Sequence, residues 1–316
     1  MLEYDMSNPV ISVMIAVHNA ESSILAALES LDNALNENSS PEQVEAIIIN
    51  DGSTDRSLDI INQYQPRNFI KVVETVNFSN IGKIRHYAYS LSSGEYITAL
   101  DSDDVLKKGA MAWVLDIIHE HPFDLLLTKL EEYESSKPDL SFVAEPVRPI
   151  TQEKLKKLYL EHKKVKGHLP AKYIRKDILS DNMFPDIFCY EDILISANAF
   201  CTAEKILMTG TKTYCYYKHE NSLSSEKSLS KTLVFLRAIL AMESFFIKNN
   251  HEKIMFEGLF VKVCSDYLSR NNKNNLPDFA MERFNKINVF GFLFNTKVRV
   301  SRKKMFLKIK ISEVFK

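Results

Sequence analysis

The sequence lacks a dominant charge, paired cysteines and any long apolar run. Its 40 Lys and Arg nearly match 41 Asp and Glu, for a formal net charge of −1. No global field therefore draws the chain to nucleic acid, which is not expected among its partners. Cys189, Cys201, Cys215 and Cys264 form no CxxC pair and read as reduced structural thiols. No apolar stretch reaches the roughly 18–20 residues of a spanning helix. The opening MLEYDMSNPV does not follow the basic-then-apolar order of a signal peptide. Internal repeats and low-complexity segments are also missing. These absences point to a cytoplasmic protein of ordinary soluble composition, long enough at 316 residues for one large domain with an extension.

What is present is an alternation. VISVMIAV at 10–17 and VEAIII at 44–49 are short continuous apolar runs of the kind found in buried strands. Ile70 to Val73 and Tyr96 to Leu100 give two more strands. Between them, Ile24, Leu28, Leu31 and Leu35 share one helical face, Leu58 and Ile61 mark a helix capped by Ser53 or Thr54, and Ile84, Tyr87, Ala88 and Leu91 mark another. Strands alternating with helices predict an α/β fold with a mostly parallel sheet. Further on, helix is expected around Trp113 to Ile118, strand at 123–127, loop at 134–150 and a charged helix at 151–164. From Ser228 the chain reads as mostly helical. The expected organisation is a catalytic domain over 1–225, divided near residue 110 into a nucleotide-binding and an acceptor-binding half, and a helical extension over 226–316.

In open α/β sheets ligands sit beyond the carboxyl ends of the strands. The polar clusters fall there: His18-Asn19, then Asp51, then Asp101-Ser102-Asp103-Asp104. Three crowded carboxylates repel and raise one another's pKa. A DxD at a strand end suits a hard divalent cation, Mg²⁺ or Mn²⁺, whose other positions are filled by water and ligand phosphates. It also fits a solvated acidic turn. DSDDV further matches the DxDx[TV] of haloacid-dehalogenase-like phosphatases, in which Asp101 would be a nucleophile, although here three strand-like segments precede it.

Taken together, ISVMIAVHN at 11–19, NDGSTD at 50–55, Arg85, and GEYI at 94–97 leading into DSDD at 101–104 resemble the family 2 glycosyltransferases of GT-A fold. The resemblance covers about residues 9–130 well and 170–225 more loosely. It departs at His18, where the family usually has Tyr, and at Ala16, where Pro is common. It implies a UDP-sugar donor, a divalent cation and an inverting transfer to a glycan or lipid-linked glycan in a bacterial surface polysaccharide such as capsule, lipopolysaccharide or exopolysaccharide. Asp51 would then read the uracil, with Val17, His18, Asn19 and Ser102 lining the nucleotide. Arg85 would neutralise diphosphate or orient the acids. Asp101 would hold the ribose or a metal-bound water, Asp103 would ligate the metal directly, and Asp104 would support the loop.

The resemblance extends to FCYEDIL at 188–194, whose Glu-Asp pair precedes a helix in the family. Asp192 is nominated as the base that takes the acceptor's proton, with Glu191 as the fallback. Inversion is a single displacement and needs one such base. YCYYKHENSLS at 214–224 resembles the family's loop over the donor. There Lys218 would neutralise diphosphate and His219 would ligate metal or touch diphosphate. Lys172 is assigned to the acceptor side. His119 and His121 receive no role. A non-catalytic nucleotide- or glycan-binding module on the same scaffold is the remaining alternative. The basic segment 297–316, with apolar residues interleaved, fits either peripheral contact with an anionic membrane or a plain packing element.

Overall fold

A computed structural model describes residues 9–36, 39–134, 137–161, 164–218, 228–270 and 275–314. Four strands, β1 (Ile11–Val17), β2 (Val44–Asp51), β3 (Ile70–Val76) and β4 (Tyr96–Ala99), alternate with α1 (Ile24–Ala34), α2 (Ser57–Gln63) and α3 (Ile81–Leu91). Next come β5 (Val105–Leu106), α4 (Ala110–Glu120), β6 (Leu125–Tyr133), β7 (Arg148–Pro149), α5 (Gln152–Glu161), β8 (Lys172–Arg175), α6 (Glu191–Thr202) and β9 (Ile206–Tyr217). The rest is helical: α7 (Leu229–Phe246), α8 (Asn250–Arg270), α9 (Asp278–Asn285), α10 (Val289–Leu293) and α11 (Val300–Val314).

The strands form one sheet in the order β3-β2-β1-β4-β8-β6-β9-β5, with β7 against β9. The first four are parallel, and β6 pairs parallel with β9, so most paired residues are in parallel register. Antiparallel pairing enters at β8, which joins β4 to β6. The chain winds from β1 out to β3, then returns to place β4 on the other side of β1. That reversal opens a crevice at the carboxyl ends of β1 and β4, the usual ligand position in such sheets.

Side-chain alternation divides the core. Val13, Ile15, Ala46 and Ile48 pack with α1 and α4 on one face. Met14, Ile47 and Ile49 belong to a second cluster that runs through α3, α5 and α6 into Phe256, Phe284 and Phe306 of the C-terminal helices. The extension thus shares a core with the sheet. In α11, Phe306 lies 5.0 Å from the Phe284 ring and 4.9 Å from the Phe292 ring, so the inner side of the basic segment is a packed helix face.

Two local expectations are corrected. Neither Ser53 nor Thr54 caps α2. The helix begins at Ser57, where Asp55 Oδ1 accepts from the Ser57 amide at 3.0 Å and its hydroxyl at 2.5 Å. The strand expected at 123–127 starts at Leu125 and runs to Tyr133, because β9 pairs with it along its whole length. Polar LEEY gave no apolar signal for that continuation.

At the amino ends of the strands, buried Glu45 Oε1 accepts from Ser12 Oγ at 2.6 Å, Ser93 N at 2.6 Å and Gly94 N at 3.2 Å. A Cβ on Gly94 would stand 2.7 Å from Ser12 N and 2.9 Å from Ile11 C. This backbone cannot give way as a side-chain tip would. Gly94→Ala should therefore lower stability by about 1–3 kcal/mol, read as a lower urea midpoint at unchanged slope. An unchanged midpoint would contradict this packing.

Candidate active site

The crevice begins with two loops laced together. His18 Nδ1 donates to the Asp51 carbonyl at 2.6 Å, which fixes an otherwise exposed ring at the end of β1. Asn19 adopts φ 49°, its amide donates to Ser53 Oγ at 3.0 Å, and its Oδ1 accepts from Thr54 N at 2.8 Å. Ala20 N donates to Ser57 Oγ at 2.7 Å and Glu21 N to Asp55 Oδ2 at 3.0 Å. Much of the NDGSTD segment is therefore structural. Asp51 is buried, and its Oδ1 accepts from Phe78 N at 2.5 Å and Ser79 N at 3.2 Å, which holds the turn between β3 and α3. Val17 is buried in the sheet.

The acids after β4 are reconciled by three different means. Arg85, only 4% exposed, sends its Nη2 to Asp101 Oδ1 and its Nη1 to the Met14 carbonyl at 3.0 Å, with Nε 3.9 Å from Glu191 Oε1. Asp104 turns inward, where Tyr214 Oη donates to its Oδ2 at 2.6 Å and Tyr217 N to its Oδ1 at 2.7 Å. Burial first, and then the charge of Asp101, pushes the Asp104 carboxyl up to about 8, so it is mostly uncharged at neutral pH. Asp103 and Ser102 stay on the partly exposed turn. Tyr214 Oη also accepts from Asp101 N at 3.1 Å, which makes Tyr214 the fastener of the turn. The aromatic run that contains it carried no signal of that role in the sequence.

The Arg85 guanidinium faces two carboxylates and a carbonyl. Burial works against its charge, but Asp101 and Glu191 more than offset that and raise its pKa.

Glu191 and Asp192 open α6. Tyr190, at φ 65°, turns the chain into the helix. The preceding segment lies directly on α3: Gly82 N donates to Ile187 O at 3.1 Å, and a Cβ on Gly82 would come within 2.0 Å of Pro185 O. Gly82 thus permits the close approach that carries the acidic pair to Arg85. Burial, and then the neighbouring Asp192 charge, raises Glu191, while Arg85 opposes the shift. Asp192, half-buried, is raised to about 6 by burial, and Lys172 works against the rise. Adjacent acids pushed apart in this way divide their roles. Glu191 holds a proton more readily, and Asp192 is the one ionised near neutral pH.

Lys172 is not on an open acceptor surface. It is 3% exposed, follows Ala171 at φ 61°, and its Nζ donates to the His168 carbonyl. Burial brings its ammonium down to about 7, with Asp192 opposing the shift. The Lys172 ammonium and the Asp192 carboxyl each favour the charged form of the other. Lys218 follows β9, where its amide donates to Tyr133 O at 2.8 Å and its Nζ lies 2.9 Å from Glu134 Oε1. His219 lies outside the described residues.

The donor set suits a hard cation only in part. Arg85 takes one oxygen of Asp101, and Asp104 is withdrawn by Tyr214 and Tyr217. Asp103 and the second oxygen of Asp101 are the carboxylate oxygens on the partly exposed side of the turn. Among the described residues no group of three or more ligating side chains occurs. Such a sparse oxygen set fits Mg²⁺ or Mn²⁺ held jointly with phosphates and water.

One prediction concerns proton affinity. A base with a pKa of about 6 is lost as pH falls through that value. Lys172→Met removes the nearby positive charge, so the acid limb of the pH–rate profile should move to higher pH, by roughly 1 unit. An unmoved limb would remove Lys172 from the site.

The Glycosyl transferase family 2 model matches residues 12–182, more than half of the chain. The chain is 31% identical over 221 residues to a poly(ribitol-phosphate) beta-glucosyltransferase of Bacillus spizizenii, with 65% of this chain and 32% of that protein covered. It is 28% identical over 209 residues to the poly(ribitol-phosphate) beta-N-acetylglucosaminyltransferase TarS of Staphylococcus aureus, covering 65% and 35%. The chain therefore spans about a third of the length of these relatives. A crystal structure of S. aureus TarS in complex with UDP-GlcNAc superposes with a TM-score of 0.65 at 18% identity, over 96% of this chain and 91% of that one. That likeness shows the GT-A fold, and it overturns the haloacid-dehalogenase reading of Asp101. With the match running from β1 through the acidic turn and beyond β8, the chain belongs to glycosyl transferase family 2.

Proposed function

We propose that the chain is an inverting glycosyltransferase that moves a sugar from a UDP-sugar to a hydroxyl of a bacterial surface polymer, with Asp192 as general base. The observation that carries this reading is the Arg85 bridge. It holds Asp101, at the donor end of β4, and Glu191, beside Asp192, in one crevice although they lie far apart in sequence. The names of the relatives favour a polyol-phosphate or glycan acceptor, and the UDP-GlcNAc bound to TarS favours a uridine donor.

In this reading the Asp51 carboxylate reads the base beside the fixed His18 ring, and Asn19 and Ser102 border the nucleotide. Asp103 and Asp101 would hold Mn²⁺ or Mg²⁺, which when bound stabilises charge on the departing diphosphate. Lys218 adds positive charge at the end of β9. Asp192 takes the proton of the acceptor hydroxyl as its oxygen bonds to the anomeric carbon and the bond from that carbon to UDP breaks. Burial and Lys172 set the proton affinity of Asp192. We further infer weak peripheral contact of residues 297–316 with an anionic membrane face. Among the described residues no helix is long and apolar enough to cross a membrane.

Asp192→Asn should lower turnover of the UDP-sugar by about 10²–10⁴-fold while UDP with Mn²⁺ still raises the melting temperature. Full activity in this variant would contradict the assignment. A wild-type chain that binds UDP but turns over no member of a UDP-sugar panel would instead be a binding module. Asp103→Ala should abolish the Mn²⁺-dependent part of the melting shift, and an unchanged shift would place the cation elsewhere.

A further inference from the structure

The last helices carry an unusual surface. Residues 283–312 contain nine Lys or Arg and no Asp or Glu; Arg283, Lys286 and Arg299 pair with Glu243, Glu282 and Glu161, and Arg302 is buried, so the surface charge comes from five lysines. In a chain of net charge −1 this leaves −10 on the remainder. The same region exposes large apolar side chains: Phe290 and Phe294 are 76% and 77% exposed, and Val289, Val300, Leu307 and Ile311 are exposed as well. Phe290 and Phe294 stack with ring centres 6.3 Å apart. On α11, Val300, Lys304, Leu307 and Ile311 fall on one stripe by helical spacing, opposite the packed Arg302, Phe306 and Ile309. Lys297, Lys304 and Lys308 are exposed among them. A surface helix ordinarily turns polar residues outward, whereas α11 also exposes Val300, Leu307 and Ile311 beside its outer lysines.

We propose that the outer faces of α10 and α11 form one docking surface for an anionic lipid bilayer, with Phe290 and Phe294 entering the headgroup–acyl boundary and the lysines remaining at the headgroups. This inference rests on the peripheral-contact reading and deepens it, because the inserting pair lies ahead of residue 297. The charge selects the occupant. A second copy of this chain would bring Lys297, Lys304 and Lys308 of one face against the same lysines of the other, which like-charge repulsion disfavours. A polyanion alone would leave the two phenyl rings in water. Lipid satisfies both features: lysine stems lie along apolar surface with their ammonium groups at phosphate, and apolar side chains sit beneath them.

The test is sedimentation of the full chain with vesicles of equal parts phosphatidylglycerol and phosphatidylcholine, and with phosphatidylcholine alone. The wild type should pellet with the anionic vesicles only. Phe290→Ser/Phe294→Ser and Lys304→Glu/Lys308→Glu should each weaken that binding by about tenfold or more, with the UDP–Mn²⁺ melting shift intact as the control for folding. A wild type that stays in the supernatant overturns both this inference and the peripheral-contact reading. A phenylalanine variant that pellets like the wild type overturns insertion but leaves a basic contact standing. Equal binding to neutral vesicles overturns the anionic preference.

Discussion

A buried guanidinium organises this molecule. Arg85 sits beneath the crevice between β1 and β4, fastened to the Met14 carbonyl and paired with Asp101 and Glu191. An unpaired charge at that depth would be costly, and removing one partner of a buried pair typically costs about 3–5 kcal/mol. The two acids therefore need Arg85 as much as it needs them. One comes from the end of β4 and the other from the first turn of α6, so a single side chain fixes the distance between the two sides of the site. The crowding of the DSDD acids is relieved in the same way. Arg85 compensates Asp101, burial pushes Asp104 toward its neutral form, and Asp103 stays on the rim.

Backbone strain falls on the same rim. Asn19, Ser79, Ala171 and Tyr190 are the non-glycine residues with positive φ among those described, a conformation that costs of order 1–3 kcal/mol each. Each adjoins a site residue. Asn19 follows His18, Ser79 binds Asp51, Ala171 precedes Lys172 and Tyr190 precedes Glu191. The rest of the fold must hold these turns in place. The two apolar clusters that sandwich the sheet, one of which extends into the C-terminal helices, are well placed to do so.

The nucleotide half was legible in the sequence because its signals are local. Continuous apolar runs gave β1 and β2, helical spacing gave α1 and α3, and polar residues at strand ends pointed to the crevice. Features that depend on tertiary contact were not legible. Polar LEEY hid the second half of β6, which exists because β9 pairs with it. Nothing in YCYYK marks Tyr214 as the residue that ties down Asp101 and Asp104. The burial of Lys172 depends on β8 lying between β4 and β6. The basic segment revealed its charge in sequence, but its packed inner face and its apolar outer face separate only once α11 is placed against the helices before it.

These features describe a family 2 scaffold whose acids are held ready at a topological switch point. The central claim is that Asp103, with one oxygen of Asp101, shares a cation with a nucleotide's diphosphate. Anomalous diffraction from crystals grown with UDP and Mn²⁺ tests it most directly. The account predicts a manganese peak about 2.1 Å from an Asp103 oxygen, with the diphosphate on its far side and the uracil against Asp51. Bound UDP with no metal beside Asp103, or a peak at some other site, would contradict it.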